Sequence, residues 1–278
     1  MSKAEKIKAI TKRMQSLPTL PQVVKQFTAM VENPDVTAHE VGRLISSDQV
    51  LAGKVLRLAN SPFYGFPWRI SSVSHAIILL GFDVIKGVVL SASVFDIMEQ
   101  AMLGLWEHSL ASAVVAGTLC RELGLPDAEE VSTAALLHDI GKVLVKVSLP
   151  DDYEQVAALV SERQCSFREA ELEVLGVDHG DIGAWLAKEW NLPEKLAIPI
   201  NYHHNIEAAH TLRERIAVVQ VADAIARAFG EGYAGDPHVP AVASAAWDLL
   251  DLDRCDLNNL MRRIREELDG AANYSLGG

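Results

Sequence analysis

The run Ala134-Ala135-Leu136-Leu137-His138-Asp139-Ile140-Gly141-Lys142 sets an imidazole and a carboxylate side by side in a segment that otherwise reads as buried. Taking such groups out of water is costly unless each finds a partner. A fold for this chain must therefore bring partners to His138 and Asp139. A divalent metal is one solution, and a hydrogen-bonded histidine near a helix end is the other. Further polar residues lie in similarly apolar settings. His108 sits in Trp106-Glu107-His108-Ser109-Leu110-Ala111, the start of a helix apolar nearly all round. Asp223 shares an apolar stripe with Val219 and Ala226. His179 opens the helix that runs towards Trp185 and Trp190, and His203 and His204 follow Ile198-Pro199-Ile200-Asn201-Tyr202. Each residue alone reads as a core group satisfied by hydrogen bonds. Together they point to one shared site.

Nearly every segment carries helical periodicity, and the punctuation is clear. Residues 3–14 and 21–32 read as helices, the second closed by Asn33-Pro34-Asp35. Thr37 with Glu40, and Ser166 with Glu169, have capping-box spacing. His39 therefore reads as a solvated first-turn residue, and His75 as a cap or surface residue. Ser47 or Asp48 caps the next helix, which ends at Asn60-Ser61-Pro62. The aromatic loop Phe63-Tyr64-Gly65-Phe66-Pro67-Trp68 reads as folding over the core rather than meeting a ligand. Helices at 72–80 and 84–98 are separated by a pause at Gly81. Residues 230–240 read as a flexible break, and 241–251 and 256–268 as two closing helices. Arg262, Arg263 and Arg265 read as a solvated face, because Glu266, Glu267 and Asp269 follow. No repeat or strand-rich region emerges, so the fold class is all-α.

The order His…His-Asp…His…His-His…Asp resembles the HD superfamily of metal-dependent phosphohydrolases, with His138-Asp139-Ile140-Gly141-Lys142 matching its defining motif. The fuller set resembles the two-metal HD-GYP branch. Leu17-Pro18-Thr19-Leu20-Pro21, the stretch from Asp48 to Gly65, and Ile70 to Gly81 resemble the HDOD domain, a bacterial signalling relative, over about residues 14 to 210. The resemblance implies a multi-helix HD-type bundle with an N-terminal helical HDOD subdomain. The expected units are 1–98, an HD-like subdomain over 99–230, and a C-terminal helical extension over 231–278. It also implies that His108, His138, Asp139 and Asp223 hold one divalent transition metal. Asp139 would bridge to a second ion held by His179, His203 and His204. Mixed imidazole and carboxylate donors suit Fe, Mn, Ni or Zn.

Asp139 and Lys142 are the catalytic candidates. Lys142 would offer a cation to a phosphate; the alternative for it is a surface lysine at a helix C-terminus. Glu107 is a candidate for orienting an imidazole. The chain departs from HD-GYP enzymes in two places. Asn205-Ile206-Glu207 follows the histidine pair where those enzymes have Glu directly, and no Gly-Tyr-Pro element follows. The run Gly230 to Gly235 is only a superficial likeness to that element. Gly104 stands where some relatives add a Glu for a third metal. The implied role is a bacterial signal-transduction or regulatory protein with a dinuclear metal site. The alternative is an active metal-dependent phosphohydrolase on a nucleotide or phosphoester.

Composition narrows the partners. A formal net charge of −12 argues against broad nucleic-acid binding, which needs a basic face. A signalling protein or a nucleotide ligand is the expected partner. The three cysteines are far apart and form no CxxC pair, and Cys120 reads as core packing. No apolar leader is evident, and Asp83 and Lys86 interrupt the longest apolar stretch. The expectation is a cytoplasmic protein with no membrane partner.

Overall fold

A computed structural model describes residues 3–13 and 22–271. Among these residues the regular structure is helical and includes no strand. The first group of α-helices is α1 (Lys3–Arg13), α2 (Gln22–Val31), α3 (Ala38–Ser46), α4 (Gln49–Ala59) and α5 (Val73–Ala101). Next come α6 (Leu105–Glu122), α7 (Ala128–Leu137), α8 (Ile140–Ser148), α9 (Pro150–Arg163) and α10 (Phe167–Leu175). The chain continues through α11 (His179–Glu189), α12 (Glu194–Tyr202), α13 (Arg213–Ala228), α14 (Ser244–Leu249) and α15 (Leu257–Ala271). Leu17-Pro18-Thr19-Leu20-Pro21 lies outside the described residues.

Local chemistry sets the helix ends. Thr37 and Ser166 each form a full capping box, with Glu40 and Glu169 respectively. Of the two candidate caps for α4, Asp48 takes the role, its Oδ1 accepting from Val50 N and Leu51 N. The pause at Gly81 is present: its φ of 78° and ψ of 166° are non-helical and divide α5 into two helices that meet there.

The central helix is α6, buried from Leu105 to Cys120 apart from Glu107. It packs against α7, α13 and α15, and Trp106 meets Phe95 of α5 edge-on at 4.7 Å between ring centroids. That enclosure explains why α6 is apolar on every side. A second group, α8, α11 and α12, packs together beside it, and α12 also meets α7 and α13. Against the sequence expectation, α5 does have the length and apolar composition of a membrane span. Its most apolar window is 61% buried inside the protein, so most of that surface faces the core.

One glycine decides how the two groups meet. A Cβ on Gly141 would lie 2.1 Å from the backbone oxygen of His179. The first turn of α8 can approach the first turn of α11 only because residue 141 has no side chain. That approach sets Asp139, just before α8, beside His179.

Gly141→Ala should lower stability by about 3 kcal/mol, because the clash is with backbone that must shift. The thermal midpoint should fall by roughly 10 °C. Gly270→Ala, whose added methyl meets nothing within 4 Å, is the control and should leave the midpoint nearly unchanged. A second expectation concerns Cys120, a fully buried thiol whose pKa burial pushes up to about 12. At pH 8 only about 1 in 10,000 such thiols is ionised, and alkylation needs the thiolate. Iodoacetamide should therefore label Cys165 and Cys255 in the folded protein and reach Cys120 only after denaturation, as peptide mass mapping would show.

Candidate metal centre

The helices converge their polar residues on one place. His138 is the last residue of the α7 turn and Asp139 the residue before α8, so the pair occupies the junction between two helices. His108 comes from the first turns of α6, and Asp223 from the middle of α13. His179 is the first residue of α11, where Asp178 caps the helix by accepting from Asp181 N. His203 and His204 follow the end of α12. All seven residues expected from the sequence thus meet in one cluster.

The cluster has two halves. In the first, His108 Nε2 lies 3.1 Å from Asp223 Oδ1 and 3.3 Å from His138 Nε2. Asp139 Oδ2 lies 3.5 Å from His138 Nε2 and 3.7 Å from His108 Nε2. In the second, His179 Nε2 lies 2.9 Å from His204 Nε2 and 3.3 Å from His203 Nε2. Asp139 Oδ1 lies 3.1 Å from His179 Nε2. One carboxylate therefore faces both halves, one oxygen to each.

Proton positions decide what these contacts are. His138 Nδ1 donates to Ala135 O at 2.6 Å, and His203 Nδ1 donates to Ile200 O at 2.7 Å. A carbonyl oxygen can only accept, so each ring keeps its proton on Nδ1 and turns an Nε2 lone pair inward. Burial lowers the pKa of His138 to about 4 and that of His203 to about 3, so both rings are neutral. His204 is lowered in the same way, by burial and then by the neighbouring His203. Inward lone pairs on neutral rings cannot satisfy one another. Asp139 Oδ1 is likewise buried, with His179 Nε2 at 3.1 Å and no hydrogen-bond partner among the described residues. Donors bound to a divalent first-row ion at about 2.1 Å sit about 3.0–3.4 Å from their neighbours in octahedral or tetrahedral geometry. The contacts of 3.1 and 3.3 Å in each half fall in that range, the 2.9 Å contact lies just under it, and the 3.5 and 3.7 Å contacts of Asp139 Oδ2 lie just beyond it. The residues fit a divalent transition metal, in donor type and in spacing.

Charge is balanced by two cations of the chain itself. Lys142 is fully buried, and its Nζ donates to Asp139 Oδ2 and to Ala234 O, both at 2.8 Å. It lies in the first turn of α8, so the alternative of a surface lysine at a helix C-terminus is excluded. Arg227, one turn after Asp223 on α13, donates from Nε to Asp223 Oδ1 at 2.8 Å. Burial alone would raise both carboxyls. For Asp139, the facing His138, Lys142 and His179 outweigh it; for Asp223, Arg227 and His108 do, and both acids stay well below the usual range. His179 moves the other way. Burial would lower it, but the Glu171 carboxylate raises it to about 9.

Three supporting groups were not foreseen: Arg227, Glu171 and Asp236. Glu171, fully buried on α10, accepts from both the backbone N and the Nδ1 of His179. The expected orienting group, Glu107, is solvent-exposed on the outer side of α6. Asp236 accepts from Phe167 N at 2.7 Å and from Arg227 Nη1 at 3.2 Å. The segment 230–240, read from the sequence as a flexible break, is instead fastened to the centre through Ala234 and Asp236. A Cβ on Gly232 would lie 2.3 Å from both Gly104 O and His108 N, so only glycine lets this segment seat on the start of α6. A cleft of about 450 Å³ opens beside the cluster, reached by His179, His204 and Asp223 and flanked by Lys142, Arg168 and Arg227.

The family model of the HDOD domain matches residues 17–206. The chain belongs to the HDOD family. The match encloses His108, His138, Asp139, His179, His203 and His204 and ends before Asp223. An HDOD domain protein of unknown function from Geobacter sulfurreducens has a solved structure 30% identical to this chain, with a TM-score of 0.71. The alignment covers 98% of this chain and 99% of that one. A provisionally assigned phosphohydrolase from Shewanella amazonensis SB2B aligns at 24% identity and a TM-score of 0.66, over 94% and 96% of the two chains, and shows the same fold. An uncharacterized protein of Treponema pallidum is 27% identical over 207 residues, which are 72% of this HDOD chain and 40% of the relative. Ribonuclease Y of Aquifex aeolicus is 32% identical over 121 residues, 44% of this chain and 16% of that protein. The HDOD chain thus spans less than half the length of these curated relatives.

Glu171→Gln should lower the His179 pKa from about 9, because an anion that stabilises the imidazolium is removed. Histidine proton NMR titration of chelator-treated protein measures this. An unchanged His179 titration would show that Glu171 does not set its protonation.

Proposed function

We propose that this HDOD protein is a bacterial, cytoplasmic signalling component that carries a dinuclear divalent-metal centre. His108, His138, Asp223 and Asp139 Oδ2 would hold one ion, and His179, His203, His204 and Asp139 Oδ1 the other. The observation that carries the reading is Asp139, a single buried carboxylate with one oxygen facing each group of imidazoles. Fixed tautomers at His138 and His203 support it, since they turn lone pairs to the same interior.

A regulatory role fits the burial of the centre. Apart from His204, no donor residue is more than 2% exposed. The cations that a phosphate would need are also engaged within the chain, Lys142 by Asp139 and Ala234, Arg227 by Asp223, Asp236 and His238 O. A second reading, hydrolysis of a phosphoester, is favoured by the cleft beside His204. There a bound divalent ion would supply Lewis acidity and charge neutralisation. Lys142 would then hold Asp139 ionised and in place, and Arg227 would do the same for Asp223.

Protein prepared without chelator should contain about two transition-metal ions per chain by elemental analysis. Asp139→Asn should lose most of both ions, and His108→Ala or His204→Ala should each lose mainly one. Absence of metal after anaerobic reconstitution with Fe or Mn would falsify the proposal. Metal-loaded protein that leaves a broad panel of nucleotides and phosphodiesters intact supports the regulatory role. Turnover that disappears in Asp139→Asn establishes the hydrolase instead.

A further inference from the structure

On the N-terminal half, a second and larger cleft of about 880 Å³ shares none of its described residues with the metal centre. One wall is a single face of α4, formed by Gly53, Leu56, Arg57 and Asn60 at helical spacing. The other is the extended segment Phe66-Pro67-Trp68-Arg69-Ile70-Ser71. Its volume falls in the range of small-molecule sites.

Three features mark the cleft as built rather than incidental. First, its walls are tied together. Asn60 Nδ2 donates to Leu56 O at 2.7 Å and to Ile70 O at 2.8 Å, and Ile70 N donates back to Asn60 Oδ1 at 2.7 Å. The buried Ile70 anchors the same segment in the core. Second, Trp68 is 56% exposed, an indole left in water beside an anchored backbone. The aromatic loop thus divides: Tyr64 is buried as the sequence reading expected, and Trp68 is not. Third, the charge is local and opposite to that of the whole. The chain has 37 acidic and 25 basic residues, yet among the described residues this lining has two arginines and no acid. No acidic residue lies on α4 either.

We infer that this cleft binds a nucleoside phosphate, its base on the Trp68 indole and its phosphate against Arg69, with Arg57 adding positive charge to the wall. A planar base stacks on an exposed aromatic face whatever its sequence identity. A guanidinium matches phosphate through paired N–H donors and repels cations. Gly53 leaves the floor open, since a Cβ there meets nothing within 4 Å. The cleft also has a mechanical route to the metal centre. Tyr64, at the root of the aromatic loop, shares a 2.9 Å hydrogen bond with Thr133 of α7, the helix that ends at His138.

The probe is mant-GDP, titrated into the full chain and followed by energy transfer from tryptophan. Saturable binding is expected, weakening as salt rises from about 0.1 M to about 0.5 M because exposed charges are screened. Unlabelled GDP should compete, inorganic phosphate weakly, and guanosine hardly at all. Arg69→Glu and Trp68→Leu should each weaken binding about tenfold or more. Trp68→Phe, which keeps an aromatic face, should retain most of it when followed by GDP calorimetry. Protein treated with chelator should bind as untreated protein does. Absence of saturation up to about 1 mM overturns the inference. So does binding lost on chelator treatment but kept in Arg69→Glu, which would place the nucleotide at the metal centre. Displacement of the probe by an Asp/Glu-rich peptide but not by GDP would make the cleft a peptide site and overturn it equally. Both substituted side chains are exposed, and unchanged thermal midpoints confirm that the variants fold.

Discussion

The Asp139 carboxylate, buried between two groups of imidazoles, is the constraint from which much of this architecture follows. An isolated carboxylate in such a place costs several kcal/mol even after relaxation. The chain meets that cost with Lys142 and with rings from three further segments, and each partner requires a backbone approach of its own. Gly141 lets α8 touch α11, and Gly232 lets the segment after α13 sit on α6. Glu171 then fixes His179, and Arg227 fixes Asp223. The polar centre and the apolar core were therefore specified together: α6 is enclosed by α7, α13 and α15 because His108 has to be delivered to their midst.

Much of this was legible in the sequence, for a physical reason. Helix ends advertise themselves through local capping chemistry, so Thr37, Asp48 and Ser166 could be read without knowing the fold. His108, His138, Asp139 and Asp223 stood out because they interrupt apolar runs, and His179, His203 and His204 joined them through the order that resembles the HD pattern. Arg227 carried a signal too, at i+4 from Asp223 on the same helix face. Glu171 did not, since Glu169 and Glu173 flank it and only tertiary packing tells the buried member from the others. Glu107 misled because neighbours in sequence lie about 100° apart on a helix, so a residue beside His108 points elsewhere. The segment 230–240 looked loose because its glycines mark conformational freedom in isolation. In place, the same glycines are what allow close seating.

The family match explains the fold and leaves the chemistry to the site. It ends before Asp223, so one of the seven convergent residues, with Arg227 and Asp236, comes from the part of the chain beyond it. Residues 207–240 are nonetheless integral to the cluster's geometry, closing one of its walls.

Lys142 has a consequence for the order in which this protein is made. In small metal-dependent domains, ligand groups repel one another until the ion arrives, and the chain cannot fold without it. Here an ammonium already neutralises the carboxylate that faces both groups, and it is anchored to a backbone oxygen far along the chain. Folding can finish on the chain's own counter-ion. Any metal would then be a late guest that binds beside a resident cation. Shortage of metal would accumulate a folded, waiting protein rather than a damaged one.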